Sequence, residues 1–235
     1  MIRTAILLAA GEGSRLRDAT PIKPLCPVAG RTLIDHALSG LAEAGIERAV
    51  VVTGYGAETI EAYLRARTWR VEVDTVRSRD WRLPNGVSVL AAAPLIQDAS
   101  ADEGALLAMC DHLAAPALYR RVAEAGAGAG LRLGVDRRLG HRFVDQADVT
   151  CVATMGDRIV AIGKGLEPHD CYDTGVFAVG SALFEVLGRM PAPSLTEGVR
   201  ALAATGRARV VECGDLDWID VDDPAALAEA ERLVA

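Results

Sequence analysis

Residues 4–10, TAILLAA, are apolar without a break. An unalternating run of that length reads as a strand buried on both faces of a sheet. RAVVVTG (48–54) repeats the pattern, and VEVDTV (71–76) makes a third, shorter strand. Between them the spacing changes. Leu33, Ile34, Ala37, Leu38, Leu41 and Ala42 recur at helical intervals within 32–45, with Gly45 as a stop, and GAETIEAYLRA (56–66) forms the next helix. Such β-α-β-α-β alternation predicts a parallel sheet with helices on both faces, and right-handed crossovers make it doubly wound.

Further on, SVLAAAPLI (88–96) reads as a helix, GALLAMCDH (104–112) as a strand ending in acid, and APALYRRVAEAG (115–126) as an amphipathic helix. Strands follow at 131–136 and 172–180, with a hairpin over 149–163 that turns at Gly156-Asp157. The last helix, 223–235, starts with Asp223 as its cap and Pro224 at its first position. The 235 residues suit a single domain. The fold class is α/β: a Rossmann-like, mixed and mainly parallel sheet flanked by helices, with a small β extension.

Composition narrows the chemistry. Aromatics are only 4% of the chain, so Ala, Val, Leu and Ile must fill the core. A net charge of −7 argues against nonspecific nucleic-acid binding, and an anionic ligand would need a local basic cluster or a metal ion. The five cysteines form no C-x-x-C pair and are odd in number, which disfavours a zinc site or a disulfide framework. No apolar stretch is long enough to cross a bilayer, and no cleavable leader is apparent, so the expected setting is reduced and cytoplasmic.

The candidate chemistry begins where the first strand ends. ILLAAGEGSRLRDATPIKPLCPVAG (6–30) runs from the strand into a Gly11–Gly13 turn and then to Arg15, Arg17 and Lys23. It lacks the Walker pattern, and Leu16 stands where a dinucleotide fingerprint needs Gly or Ala, which counts against a dinucleotide-dependent oxidoreductase. Glycines let backbone N–H groups approach a phosphate and cations neutralise it. A sharp turn followed by a solvated basic loop fits the spacing equally well. Asp111 closes a buried strand, at the end where open sheets bind ligands, and its hard oxygen suits Mg²⁺. Asn85, Gly86 and Ser88 sit at a helix entrance, where a turn and a serine N-cap also explain them.

The stretch LLAAGEGSRLRDATPIKPLCPVAGRTLIDHAL resembles the signature of the sugar-phosphate nucleotidyltransferase superfamily: L-x-A-G-x-G-x-R-L, then P-K-P, then P-V-x-G-x-x-L-I. The chain departs once, with Ile22 for the first proline of P-K-P. The resemblance implies that Ala10, Gly11 and Gly13 cradle a nucleotide while Arg15 and Lys23 engage its phosphates as catalytic cations. It implies base reading by Asn85, Gly86 and Ser88, and a second metal ligand at Asp220 of W-I-D-V-D. Asp222 shares a strand side with Asp220 by period two and stays an alternative. The N-G-x-S form, and IGK…L followed by DTGVF, are similar to CTP:inositol-1-phosphate cytidylyltransferases. That implies Lys164 on an acceptor phosphate and Asp173 or Thr174 on its hydroxyls, with Asp136 a further candidate.

On this resemblance, residues of about 1–115 bind nucleotide, about 116–222 bind acceptor, and a terminal helix follows. The implied reaction transfers CMP from CTP to a phosphorylated alcohol such as inositol 1-phosphate, with Mg²⁺ as cofactor. Phosphocholine, a phosphonate or a sugar 1-phosphate are alternative acceptors, and a non-catalytic nucleotide-binding regulator is a different class of answer. Lys23→Ala is expected to cut turnover by orders of magnitude without disturbing the fold. The sequence leaves open whether the chain pairs as a homodimer.

Overall fold

The computed structural model describes residues 1–97 and 104–234. Chain order begins with β1 (Thr4–Ala9), two 3-10 turns at Ser14–Leu16 and Lys23–Leu25, and the short strands β2 (Pro27–Val28) and β3 (Arg31–Thr32). Then come α1 (Leu33–Glu43), β4 (Arg48–Thr53), α2 (Ala57–Arg65), β5 (Glu72–Arg77), α3 (Gly86–Gln97) and β6 (Ala105–Met109). The remainder is β7 (His112–Ala114), α4 (Pro116–Ala125), β8 (Leu131–Asp136), β9 (Thr150–Met155), β10 (Arg158–Lys164), β11 (Cys171–Val179), α5 (Ser181–Leu187), α6 (Leu195–Ala204), β12 (Ala208–Glu212), β13 (Trp218–Asp220) and α7 (Pro224–Val234).

Nine strands form one sheet in the order β5-β4-β1-β6-β11-β8-β12-β10-β9. The half from β5 to β6 is wholly parallel, as the alternation predicts, and β8 and β12 also pair in parallel. Beyond β6 the sheet mixes, because β11 runs antiparallel to both β6 and β8. The predicted β9–β10 hairpin turns at Gly156 with φ 64°, and forms the far edge.

The unbroken apolar run of β1 has a direct physical reading. Alternate residues of a strand point to opposite faces. Ala5, Leu7 and Ala9 join a core with Ile34, Leu38 and Leu41 of α1, while Ile6 and Leu8 join another with Val89 and Ala92 of α3. Both faces are covered, so both registers must be apolar. A third, smaller cluster of Leu16, Cys26, Val28, Leu33, Phe143, Ile219 and Val221 packs beneath the loops at the strand ends.

Two boundaries differ from the sequence reading. The expected strand 104–112 ends at Met109, and Cys110-Asp111 makes a turn into β7. β7 then pairs antiparallel with β13, setting His112 opposite Asp220. Residues 181–212, which the periodicity left unread, supply α5, α6 and β12. The terminal helix starts as predicted, with the Asp223 side chain accepting from Ala226 N at 2.8 Å; Ala235 lies outside the described residues. No described helix is long and apolar enough to cross a membrane.

Candidate active site

The loop after β1 is built around one buried lysine. Lys23 is 5% exposed, and its aliphatic stem runs directly beneath Gly13. Gly13 has φ 59°, and a Cβ there would stand 2.5 Å from Lys23 Cβ. At Gly11 nothing lies within 4 Å of a would-be Cβ, so that backbone faces open space. Leu16, 1% exposed, plugs the third core cluster, and its neighbour Arg15 projects outward. The residue that breaks the dinucleotide pattern is thus the anchor of the turn. Gly11, Gly13, Arg15 and Lys23 line a cavity of about 280 Å³ together with Asp111 and Asp222.

Lys23 Nζ donates to Asp111 Oδ2 at 2.6 Å and to Asp222, and lies 3.9 Å from Asp220. Burial alone would pull the ammonium down, but the three carboxylates hold it well above its ordinary value. The same sharing splits the acids. Burial pushes the Asp111 carboxyl up, yet Lys23 brings it below the usual range, whereas burial and the neighbouring Asp220 leave Asp222 above it. Lys23 is therefore placed as a counter-ion to three carboxylates as well as a candidate catalytic cation, so its removal is expected to cost stability in addition to turnover.

Period two along W-I-D-V-D works as predicted. Ile219 and Val221 are buried in the third cluster, and Asp220 and Asp222 emerge on the other side. Asp111, His112 and Asp220 bring one potential ligand atom each within 4.8 Å of one another. The buried atoms Asp111 Oδ1 and Asp220 Oδ1 have no hydrogen-bond partner among the described residues. Unpartnered carboxylate oxygens on two residues whose ligand atoms cluster this closely fit a hard cation. Asp222 is instead paired with Lys23 and Arg15, so the geometry favours Asp220 as the metal ligand.

His112 sits between the Thr174 carbonyl, 2.9 Å from Nδ1, and Asp220 Oδ2, 3.4 Å from Nε2. Both neighbours are acceptors, so both ring nitrogens do best as donors. Burial opposes that charge, but Asp220 and Asp111 push the imidazole up to about 10. The ring packs over Gly175, whose φ of 77° and missing side chain make the space. This gives the D-T-G segment a steric reason.

A second cavity, of about 470 Å³, adjoins the first across Asp222. It holds Lys164, Asp173, Asn85 and, from the loop 137–149, Arg142, Asp145 and Asp148. Burial pushes the Asp173 carboxyl up to about 6. Asp148, which no sequence motif marked, is held down at about 2 by Lys164 and by Arg15, whose Nη2 is 2.6 Å away.

The remaining sequence candidates, Asn85 apart, line neither cavity. Ser88 lies inside α3 rather than at its cap, 4% exposed, and donates to Ser78 Oγ at 3.1 Å. Gly86 opens α3 against the Pro193 carbonyl, 2.5 Å from its would-be Cβ. Asn85 Oδ1 accepts from Leu195 N at 2.9 Å. Ala10 follows β1, and its carbonyl accepts from Tyr55 N at 3.0 Å. Asp136 is fully buried, gripped by Arg138 and by Trp218 Nε1 at 2.9 Å. Thr174 is fully buried and donates to the Gly134 carbonyl at 2.8 Å.

The chain is similar to known proteins in sequence and fold. The bifunctional IPC transferase and DIPP synthase of Rubrobacter xylanophilus is 34% identical over 98% of this chain and 51% of that protein. Its namesake in Aquifex aeolicus is 30% identical over 99% and 52%. The chain thus spans about half the length of the curated relatives it matches. Among solved structures, the inositol-1-phosphate CTP transferase from T. maritima superposes with a TM-score of 0.83 at 25% identity, covering 100% of this chain and 98% of that one. UDP-glucose pyrophosphorylase of Acinetobacter shares the fold with a TM-score of 0.81, at 21% identity and over 98% and 92% of the two chains. A family model, the MobA-like NTP transferase domain, matches residues 5–178, and the chain belongs to that family.

Proposed function

We propose that the chain transfers CMP from CTP to a phosphorylated alcohol, inositol 1-phosphate, giving CDP-inositol and pyrophosphate. The observation that carries this reading is the meeting of two cavities at one acidic and basic junction. One has a glycine rim with Arg15 and Lys23, and the other carries Lys164. The likeness to the IPC transferases and to the T. maritima enzyme supports the choice of substrates.

The triphosphate lies along Gly11–Gly13, where open backbone permits close approach, with Arg15 on its phosphates. The base lies towards Asn85–Ser88 and meets main-chain groups there, since the Asn85 and Ser88 side chains are engaged elsewhere. The acceptor occupies the larger cavity with its phosphate on Lys164. An acceptor phosphate oxygen attacks the α-phosphorus in line, a new P–O bond forms, and the bond to pyrophosphate breaks. Lys23 keeps its proton throughout, so it serves as fixed positive charge for the departing pyrophosphate. Held by Asp111 and Asp220, a divalent ion such as Mg²⁺ would supply charge to the phosphates of both substrates. Chain groups otherwise act by positioning.

Asp145 and Asp173 line the acceptor cavity and make no ion pair among the described residues. Such acceptors suit the hydroxyls of a polyol, and equally an amine. That makes an aminoalkyl phosphonate or phosphocholine the second reading. Phe177 and Trp218 are only 1% and 2% exposed, so they offer no aromatic cage for a quaternary ammonium. Pyrophosphate release across a matrix of nucleoside triphosphates and acceptors tests the assignment. Release is expected with CTP and inositol 1-phosphate; turnover confined to other pairs would displace it.

A further inference from the structure

Asp148 joins the two cavities. It sits at the end of the loop 137–149 between β8 and β9. One of its oxygens, Oδ2, accepts from Arg15 at 2.6 Å, and the other, Oδ1, from Lys164. Arg15 lines the glycine-rimmed cavity and Lys164 the acceptor cavity. A single carboxylate therefore spans two cations that serve different substrates in the proposed transfer of CMP, and the role given to Asp148 rests on that function.

The loop holds its shape without this side chain. Asp148 N and Val149 N donate to the Asp145 carbonyl at 3.1 and 2.9 Å, and Ala147 N donates to the Asp145 side chain at 2.9 Å. Tyr172 of β11 ties the loop down twice, donating to Gln146 Oε1 at 2.8 Å and accepting from Gly140 N at 3.1 Å. The Asp148 side chain, about a quarter exposed, can leave its partners by rotation while the turn stays fixed.

Charge identifies it as the carboxylate that yields. Arg15, Lys23 and Lys164 face Asp111, Asp148, Asp220 and Asp222. Asp111 and Asp220 each keep a buried oxygen with no hydrogen-bond partner among the described residues, and Asp222 pairs with the buried Lys23 as well as with Arg15. Among the described residues Asp148 pairs only with Arg15 and Lys164, one from each cavity. A phosphate arriving on either cation meets it as a competitor.

We propose that Asp148 is a displaceable placeholder anion: it stands where the substrate phosphates converge, keeps Arg15 and Lys164 at the spacing transfer requires, and gives way when a phosphate binds. It is a positioning residue. The first phosphate to bind releases both cations from Asp148, Arg15 keeping its second partner Asp222, so the second substrate binds without competition from Asp148, and the two bind cooperatively.

Isothermal titration of the full chain with inorganic pyrophosphate tests this directly. Two partly exposed ion pairs are lost, so Asp148→Asn is expected to bind pyrophosphate about tenfold more tightly than the parent. Asp148→Ser should move the same way and Asp148→Glu should restore the parent value. Asp157→Asn, which removes a carboxylate paired with Arg209 outside both cavities, should stay within about twofold. In steady state, Asp148→Asn should lower both the KM for nucleotide and kcat, a split that simple loss of structure does not produce. Unchanged or weaker pyrophosphate binding in folded Asp148→Asn and Asp148→Ser overturns the proposal. Turnover is scored separately: its absence with every acceptor would defeat the proposed function, whereas the titration needs no acceptor and decides on Asp148 alone.

Discussion

Gly13 is the roof over Lys23: a methyl group at Gly13 would stand 2.5 Å from Lys23 Cβ and 2.7 Å from its Cδ. The glycine is also left-handed, at φ 59°. Gly13→Ala must therefore strain the backbone and push the lysine aside together. A loss of about 1–3 kcal/mol in stability is expected, with a fall in turnover of at least tenfold. Gly11→Ala, two residues away, meets no atom within 4 Å. Its stability should stay within about 0.5 kcal/mol while the KM for nucleotide rises. Urea melts and steady-state kinetics on the pair separate strain from lost access. Equal stability in both variants would show that the lysine does not need the space.

Removal of Lys23 leaves Asp111, Asp220 and Asp222 facing one another in a mostly buried site. Breaking such a group by deleting one partner costs about 3–5 kcal/mol. The loss depends on pH. Without the ammonium, the folded-state carboxyl values rise above their unfolded ones. Protonation then favours the folded form, and stability falls as pH climbs through those raised values. Lys23→Met should thus be most destabilised near neutral pH and recover towards the parent below about pH 5. Denaturant melts at several pH values would expose the trend, and a deficit independent of pH would speak against the three-carboxylate account.

The parallel half of the fold was legible because β1 and β4 are covered on both faces, which makes both of their registers apolar, and because helices alternate with them along the chain. Asp220 and Asp222 were legible as same-side residues for the same periodic reason. Pairing of β7 with β13 was not legible. It joins residues 112 and 220, and a contact so distant along the chain leaves no local pattern. Asp148 was invisible likewise, since its partners Arg15 and Lys164 are supplied by other elements. For Ser88, Asp136 and Thr174 the elements were read correctly while the side chains turn inward, to Ser78, to Arg138 and Trp218, and to the Gly134 carbonyl. Position along a strand fixes a side, but not the partner found there.

Asp173 offers a trade between stability and function. Burial raises its carboxyl to about 6, opposed chiefly by the Gly175 N–H, 2.7 Å from Oδ1. The folded value exceeds the unfolded one, so ionisation is costly in the native state. The wild-type chain should lose stability as pH rises from about 4 through 6. Asp173→Asn keeps an acceptor for Gly175 and removes the charge. It should abolish that slope and gain up to about 3 kcal/mol at pH 7.5, since one pKa unit corresponds to about 1.4 kcal/mol. The KM for acceptor should rise in the same variant. If the slope persists in Asp173→Asn, another group titrates there.

Metal binding separates the acidic residues by role. The oxygens Asp111 Oδ1 and Asp220 Oδ1 are buried and unpartnered, whereas both oxygens of Asp222 are taken by Lys23 and Arg15. A cation that binds only the folded chain stabilises it according to its concentration relative to Kd, by about 2.7 kcal/mol at a hundredfold excess. Addition of Mg²⁺ should therefore raise the midpoint of thermal unfolding in the parent. Asp111→Asn and Asp220→Asn should each remove most of that rise, because an amide oxygen is a much weaker ligand than a carboxylate. Asp222→Asn should keep it. That variant is the matched control, since it loses the same charge from the same strand side but from a carboxylate committed to the two cations. An Mg²⁺ response lost in Asp222→Asn and retained in Asp220→Asn would transfer the ligand role between these two strand neighbours, and with it the point at which the phosphates must meet.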